Sequence, residues 1–350
     1  MATAKEPERN EKKTMRTITY REALREAIAE EMRRDERIYI LGEDIAGYGG
    51  TYGVTKGLIE EFGEKRVKDT PLAEEVIAGA AIGSALGGLR PIAELMTMNF
   101  SLLASDQIIN SLAKFRYMFG GQAKLPVVIR MPAGGGAQRG AQHSQMLESL
   151  YAHIPGLKLV MPATPYDAKG MLKASLRQDD PILFIEHELL YNVKGEVPDL
   201  GVHYTVPLDQ GIVRREGKDV TIVTFSRMVH ICSQAAEDLA KEGIEAEVID
   251  LRAIRPIDLD LVLDSVRKTN RVVIAEEGWK YYGTGQGIAA LIYEYAFDWL
   301  DAPIAHVTGK DVPMPYSKVL ERAALPGKAE VIAAVKALVP ARATAGVGAR

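Results

Sequence analysis

Three places in the 350-residue sequence carry side chains whose types and spacing suit chemistry. Glu74 lies three residues after Pro71, ahead of a stretch crowded with Ala78, Gly79, Ala80, Ala81, Gly83, Ser84 and Ala85. That composition reads as a helix over 71–89, following a strand over 67–70 and packed so tightly that backbones nearly touch. Pro71 suits a helix start, where its missing N–H costs nothing. Glu74 then falls in the first turn, at the carboxyl end of a strand, where open α/β sheets bind ligands. The bland alternative is a glutamate placed there only because the helix dipole favours it.

The run Met96-Thr97-Met98-Asn99-Phe100 follows an apolar strand over 91–95, so it also sits at a strand's carboxyl end; read alone, its methionines are gap-fillers of a core. The third place is the glycine-rich loop from Pro132 to Gln145, which contains His143. Histidine is the side chain most ready to move protons near neutral pH, although a loop histidine also serves simply to hydrogen-bond its own loop. Ser144 beside it has no G-x-S-x-G elbow, which argues against a hydrolase. The glycines at 283, 285 and 287 form a partial pattern without the strand-to-helix context of a dinucleotide site, and no P-loop occurs.

The elements that must position these residues follow from periodicity. Thr19 with Glu22 forms a capping-box signature, and Tyr20, Leu24, Ala27, Ile28 and Met32 recur at helical spacing. Strands are expected over 38–41, 67–70, 91–95, 126–131, 157–161 and 181–186, with helices over 71–89, 101–118 and 165–177 between them. Apolar strands interleaved with helices indicate a parallel sheet covered on both faces. From 191 to 210 the pattern lapses into Gly, Pro and mixed polar residues, which suggests a linker. The alternation then resumes with strands over 219–224, 246–251 and 271–276 and helices over 228–242, 259–268 and 287–297. The fold class is α/β, two doubly wound domains in succession: a leader over 1–15, a first domain over 16–190, a second over 211–339 and a tail over 340–350, leader and tail being expected to be disordered.

Composition narrows the class. With 47% hydrophobic residues and a formal net charge of -4, the chain is an ordinary globular protein with no basic face for nucleic acid. Cys232 is the single cysteine, which rules out an internal disulfide or a cysteine zinc cluster and fits a reducing compartment. No apolar run nears the ~20 residues of a membrane span, and the acidic residues of the leader argue against a targeting peptide. A cytoplasmic protein is expected.

Taken together, the motifs are familiar. Asp69-Thr-Pro-Leu-Ala-Glu74, Glu94-Leu-Met-Thr-Met-Asn-Phe100, Asp106-Gln-Ile-Ile-Asn-Ser111, Ala141-Gln-His-Ser-Gln145, Arg252-Ala-Ile-Arg-Pro256 and Thr308-Gly-Lys-Asp-Val-Pro-Met-Pro-Tyr316 resemble, in order, the beta subunits of 2-oxo acid dehydrogenases. The likeness spans about residues 17–338, and Met-Thr-Met-Asn-Phe resembles the pyruvate and acetoin enzymes more than the branched-chain ones.

The resemblance implies a transketolase-like pyrimidine-binding domain followed by a transketolase C-terminal-like domain. It also implies an α2β2 heterotetramer that shares thiamine diphosphate between alpha and beta chains and docks on a lipoyl acyltransferase core. The diphosphate-binding run Gly-Asp-Gly of such enzymes is absent from the sequence. Phosphates bridged by magnesium need hard oxygen ligands, so the resemblance assigns the magnesium mainly to the alpha subunit.

By the same resemblance Glu74 hydrogen-bonds the aminopyrimidine ring of the cofactor, with Glu43, Met96 and Phe100 around it. His143 hands the acyl group to lipoamide. Backbone carbonyls near Val127, Ser175, Leu176, Gln178 and Asp180 bind potassium, and Asp301 docks the acyltransferase, unless it is only a solvated turn carboxylate. The expected activity is decarboxylation of pyruvate with reductive acetylation of lipoamide. An acetoin dehydrogenase beta subunit is an alternative, as is a non-catalytic scaffold, although a scaffold needs neither Glu74 nor His143.

Overall fold

The computed structural model describes residues 15–339. The expected leader and tail lie outside the described residues, except that Met15 opens the first strand.

The first half runs β1 (Met15–Thr19), α1 (Tyr20–Arg34), β2 (Ile38–Gly42), α2 (Leu58–Phe62), β3 (Val67–Asp69), α3 (Glu74–Leu86), β4 (Arg90–Glu94), α4 (Phe115–Met118), β5 (Val128–Ala133), α5 (Glu148–Ala152), β6 (Lys158–Val160), α6 (Pro165–Leu176), β7 (Ile182–His187) and β8 (Lys194–Pro198). The second half runs β9 (Ile212–Arg215), β10 (Val220–Thr224), α7 (Met228–Lys241), β11 (Ala246–Asp250), β12 (Ala253–Arg255), α8 (Leu259–Thr269), β13 (Val272–Trp279), α9 (Thr284–Ala296), β14 (Ala305–Gly309), α10 (Lys318–Ala324) and α11 (Lys328–Leu338).

A seven-stranded sheet, ordered β12-β6-β7-β5-β4-β2-β3, and a five-stranded sheet, ordered β14-β13-β10-β11-β9, carry the two halves. The strands are parallel except β12 and β9, which pair antiparallel with their neighbours. Strands β2, β4, β5 and β7 are buried along their whole length, as apolar runs covered by helices on both faces must be. The fold class expected from the alternation is thus the one observed: two doubly wound α/β units.

Local chemistry explains the first helix. Thr19 Oγ1 accepts from the Glu22 amide at 3.2 Å, and a Glu22 carboxylate oxygen accepts from the Thr19 amide at 2.7 Å. This closed capping box satisfies two donors that would otherwise be orphaned. The buried face of α1 then packs on α6, whose fully buried Lys169 and Lys173 reach Glu26 and Glu30 on α1.

Several expectations are corrected. α3 starts at Glu74, not Pro71. The Thr70 amide still donates to the Gly42 carbonyl at 3.0 Å, so the chain stays extended beside β2 and needs residues 71–73 to turn. The single helix expected over 101–118 is broken into a 3-10 turn (Met98–Leu102), a π-turn (Gln107–Leu112) and α4. There the Ser101 carbonyl accepts from the Ala104 amide three residues on at 3.1 Å, which closes the 3-10 turn, and also from the Tyr151 hydroxyl at 3.1 Å. The stretch 191–210 is not uniformly irregular: β8 lies in it and pairs antiparallel with β1.

The halves are stitched together. β12, from the second half, adds an edge strand to the first sheet. Asp167 of α6 is flanked by Arg214 and Arg252. Two buried carboxyls also meet across the junction. Glu148 accepts from Thr284 Oγ1 at 3.2 Å, while Glu276 accepts from the Gly285 amide at 3.0 Å. Burial pushes Glu148 up to about 7; burial, then the charge of Glu148, pushes Glu276 up to about 8. Both groups hold a proton more tightly folded than unfolded, where about 4.5 is ordinary. Their contribution is therefore complete at low pH and is lost as pH rises through 7 to 8. The melting temperature should fall between about pH 5 and pH 8, and Glu148→Gln with Glu276→Gln should flatten that fall. An equally steep fall in the double variant would remove these carboxyls as its cause.

Candidate active site

The residues singled out for chemistry gather at the carboxyl ends of the parallel strands of the larger sheet. Gly42 ends β2 and Glu43 follows it, Glu74 is the first residue of α3 after β3, and Met96 to Phe100 follow β4. The glycine-rich loop follows β5, and His187 closes β7. In a parallel sheet this edge is where loops diverge and leave a crevice.

Glu74 and Glu43 are both buried. Neither oxygen of Glu43 has a hydrogen-bond partner among the described residues, and its carboxyl is pushed up to about 7 by burial, then by the charges of Glu74 and Asp44. The Ala73 amide opposes that shift without reaching hydrogen-bond geometry. Two like charges in one dry corner with no donor between them are costly. A ligand bearing N–H donors and a basic ring nitrogen would satisfy both, so these residues fit an aminopyrimidine.

Beside them Met96 and Phe100 are half-buried. The Phe100 ring meets the His143 imidazole edge-on, with centroids 5.2 Å apart at 84°. Asn99 ties the two segments together: its carbonyl oxygen accepts from the Gln145 amide at 3.2 Å and from Gln145 Nε2 at 3.0 Å. His143 itself is exposed, on a turn closed by its own amide donating to the Gly140 carbonyl at 3.3 Å, five residues before α5.

Sequence reasoning missed the groups that hold this loop. Gly135 N–H donates to Glu277 Oε1 at 2.7 Å. Gly136 and Gln138 N–H both donate to Glu321 Oε1 at 3.0 Å. His187 Nδ1 accepts from the Leu189 amide, so its Nε2–H donates to Glu277 Oε2 at 2.9 Å, and Arg227 reaches the same oxygen at 3.0 Å. Burial alone would raise the Glu277 carboxyl, but His187, Arg227 and the Gly135 amide together hold it down at about 2. Gly134 lies so close to His187 that a β-carbon would sit 2.1 Å from Nε2, at a φ of +94°, so no other residue fits. Glu277 lies near the carboxyl end of a parallel strand and could have been suspected on that ground. Glu321, on a short helix 185 positions from Gly136, carries no such signal.

Beneath the loop Arg130 is fully buried between Glu94 (2.5 Å) and Glu186 (2.7 and 2.8 Å), and the Tyr191 hydroxyl donates to Glu186 at 2.6 Å. This network locks β4, β5 and β7 side by side below the crevice.

Two assigned groups lie elsewhere. The carbonyls of Val127 and Ser175 accept from the Ile182 and Gln178 amides, and those of Leu176 and Gln178 accept from Arg90. The Asp180 carboxylate pairs with Arg116 and Lys158. The Val127, Ser175, Leu176 and Gln178 carbonyls thus each accept one hydrogen bond and keep a second lone pair, and the ion is given no part in the chemistry proposed for the crevice. Asp301 is exposed and paired with Arg271 at 2.8 Å, and its amide donates to the Asn270 carbonyl beside the amino end of β13. No described helix is long and apolar enough to cross a membrane.

Comparison with known proteins agrees with this architecture. The transketolase pyrimidine-binding domain family matches residues 16–194 and the transketolase C-terminal domain family residues 209–331. A pyruvate dehydrogenase E1 component subunit beta from Rhizobium meliloti is 51% identical over 324 residues, covering 93% of this chain and 70% of its own. That of Rickettsia felis is 50% identical, covering 91% and 97%, and the mitochondrial one of Bos taurus 47%, covering 91% and 90%. Among solved structures, a split-gene transketolase in an inactive beta4 tetramer superposes with a TM-score of 0.75 at 26% identity, over 92% of this chain and 98% of that one. With half its residues shared over nine-tenths of its length, the chain belongs to the family of pyruvate dehydrogenase E1 component beta subunits, built from the two transketolase-type domains.

Proposed function

We propose that the chain supplies the pyrimidine-binding half of a thiamine-diphosphate site and, with an alpha subunit in an α2β2 assembly, decarboxylates pyruvate and reductively acetylates lipoamide. The observation that carries this reading is the buried carboxyl pair Glu43 and Glu74, with neither Glu43 oxygen partnered among the described residues, at the sheet's carboxyl edge in a chain without a diphosphate motif. When bound, thiamine diphosphate supplies the electron sink for decarboxylation, and its diphosphate and magnesium belong mainly to the alpha subunit. Glu74 shares a proton with the pyrimidine ring nitrogen, a role suited to a carboxyl away from water. Glu43 sets the local charge, and Met96 and Phe100 exclude water from the ring. Asp301 faces the lipoyl acyltransferase, and the cytoplasm is the compartment. The division into a pyrimidine-binding domain over 16–190 and a C-terminal-like domain over 211–339 belongs to the same proposal.

His143 serves transfer of the acyl group, and this role is open to a direct test. In the assembled enzyme His143→Ala should lower lipoamide acetylation by about 10²-fold, the low end of what a placed proton-transfer group contributes. Decarboxylation read with an artificial electron acceptor should fall far less. Equal losses in both half-reactions, with a lower melting temperature, would instead make His143 a pin for its loop.

A further inference from the structure

The loop that carries His143 springs from the first domain, yet the carboxylates that hold its backbone belong to the second. Glu277, near the carboxyl end of β13, takes the Gly135 amide; Glu321, buried on α10, takes the amides of Gly136 and Gln138 on one oxygen. Apolar side chains of the same region close the clamp. Met314 and Leu325 lie so near Gly135 that a β-carbon there would meet them at 3.2 and 3.3 Å, and Tyr316 lies beside Gly140. On the opposite flank Arg139 pairs with Glu188 at 2.7 Å and lies over the Tyr52 ring. A loop this rich in glycine has large conformational freedom. Amide–carboxylate bonds of this kind are charge-assisted and among the stronger hydrogen bonds, so they select one turn from many.

We propose that Glu321, backed by Glu277, is a positioning residue for acyl transfer: the second domain's carboxylates hold the 134–140 loop in the turn that presents His143. The proposal rests on the transfer role given to His143 above. Glu321 is the better probe, because Glu277 also holds His187 and Arg227 and its loss would disturb more than the loop.

The test uses the assembled alpha–beta enzyme with Glu321→Ala, Glu321→Gln, His143→Ala and the double variant Glu321→Ala/His143→Ala. Three quantities are measured: lipoamide acetylation, decarboxylation with an artificial acceptor, and the rate of tryptic cleavage after Arg139. Glu321→Ala should cut acetylation by about tenfold or more, as small misplacements of reacting groups do, and should speed cleavage after Arg139, with a much smaller loss of decarboxylation. Glu321→Gln should recover most of the transfer, since one amide oxygen can accept from both Gly136 and Gln138. In the His143→Ala background Glu321→Ala should add little further loss of acetylation, because both act through one group. A full additional loss there, or equal losses of both half-reactions in Glu321→Ala, overturns the proposal. If His143→Ala proves to lower both half-reactions equally, the reading of His143 has failed by itself. Cleavage after Arg139 then decides the clamp: an unchanged rate in Glu321→Ala overturns it, and a faster one supports the hold on the loop.

Discussion

Glu74→Gln in the assembled enzyme should slow proton–deuterium exchange at the thiazolium carbon by about 10²–10⁴-fold, the contribution expected of a positioned acid–base group. Glutamine keeps the size and one acceptor oxygen but cannot share a proton with a ring nitrogen. Glu74 is the first residue of α3, so its replacement also removes a charge from a helix N-terminus, worth about 0.3–1 kcal/mol. Assembly and melting temperature should therefore barely change while exchange collapses. A second signature follows from its neighbour. Glu43 is pushed up to about 7 by burial first and by Glu74's charge second. Once Glu74 is neutral the second cause disappears, so the Glu43 carboxyl should titrate lower in the variant. Exchange at the wild-type rate in Glu74→Gln would end the role given to this residue.

Arg130→Met should be the most destabilising of the substitutions considered, at about 3–5 kcal/mol, because it leaves two buried carboxylates without their cation. Arg130, Glu94 and Glu186 are all buried, and among the described residues Tyr191 remains as the other donor to Glu186. In the wild type burial already raises the Glu94 carboxyl despite the opposing pull of Arg130. Without Arg130 it rises further. A group that binds its proton more tightly when folded stabilises at low pH and loses that contribution as pH climbs through its folded value. The deficit of Arg130→Met should thus be larger at pH 8 than at pH 5, in thermal melts run at both. Replacing the whole network with apolar side chains should cost less than losing Arg130 alone, since no charge is then stranded. A variant that melts with the wild type at pH 8 would show that the network does not hold β4, β5 and β7 together.

The sequence by itself determined the class of fold and the candidates for chemistry on the first sheet. Glu74, the run from Met96 to Phe100 and the loop with His143 are legible because each follows a short strand, and in a parallel sheet successive strands deliver their carboxyl ends to one edge. Alternation of strand and helix is local, repeated information, and it survives small errors such as the three-residue shift in the start of α3. The missed structure is of another kind. The periodicity of 101–118 does not announce its break into 3-10, π and α turns, and β12 is a strand only because β6 lies beside it. Only the tertiary structure decided which acids serve the loop: Glu277 and Glu321 meet amides 142 and 185 positions away. A glycine-rich loop advertises that its backbone donors need acceptors, but a carboxylate's own neighbours in sequence say nothing about which donors it will reach, because that distance is set by the packing of two separate sheets.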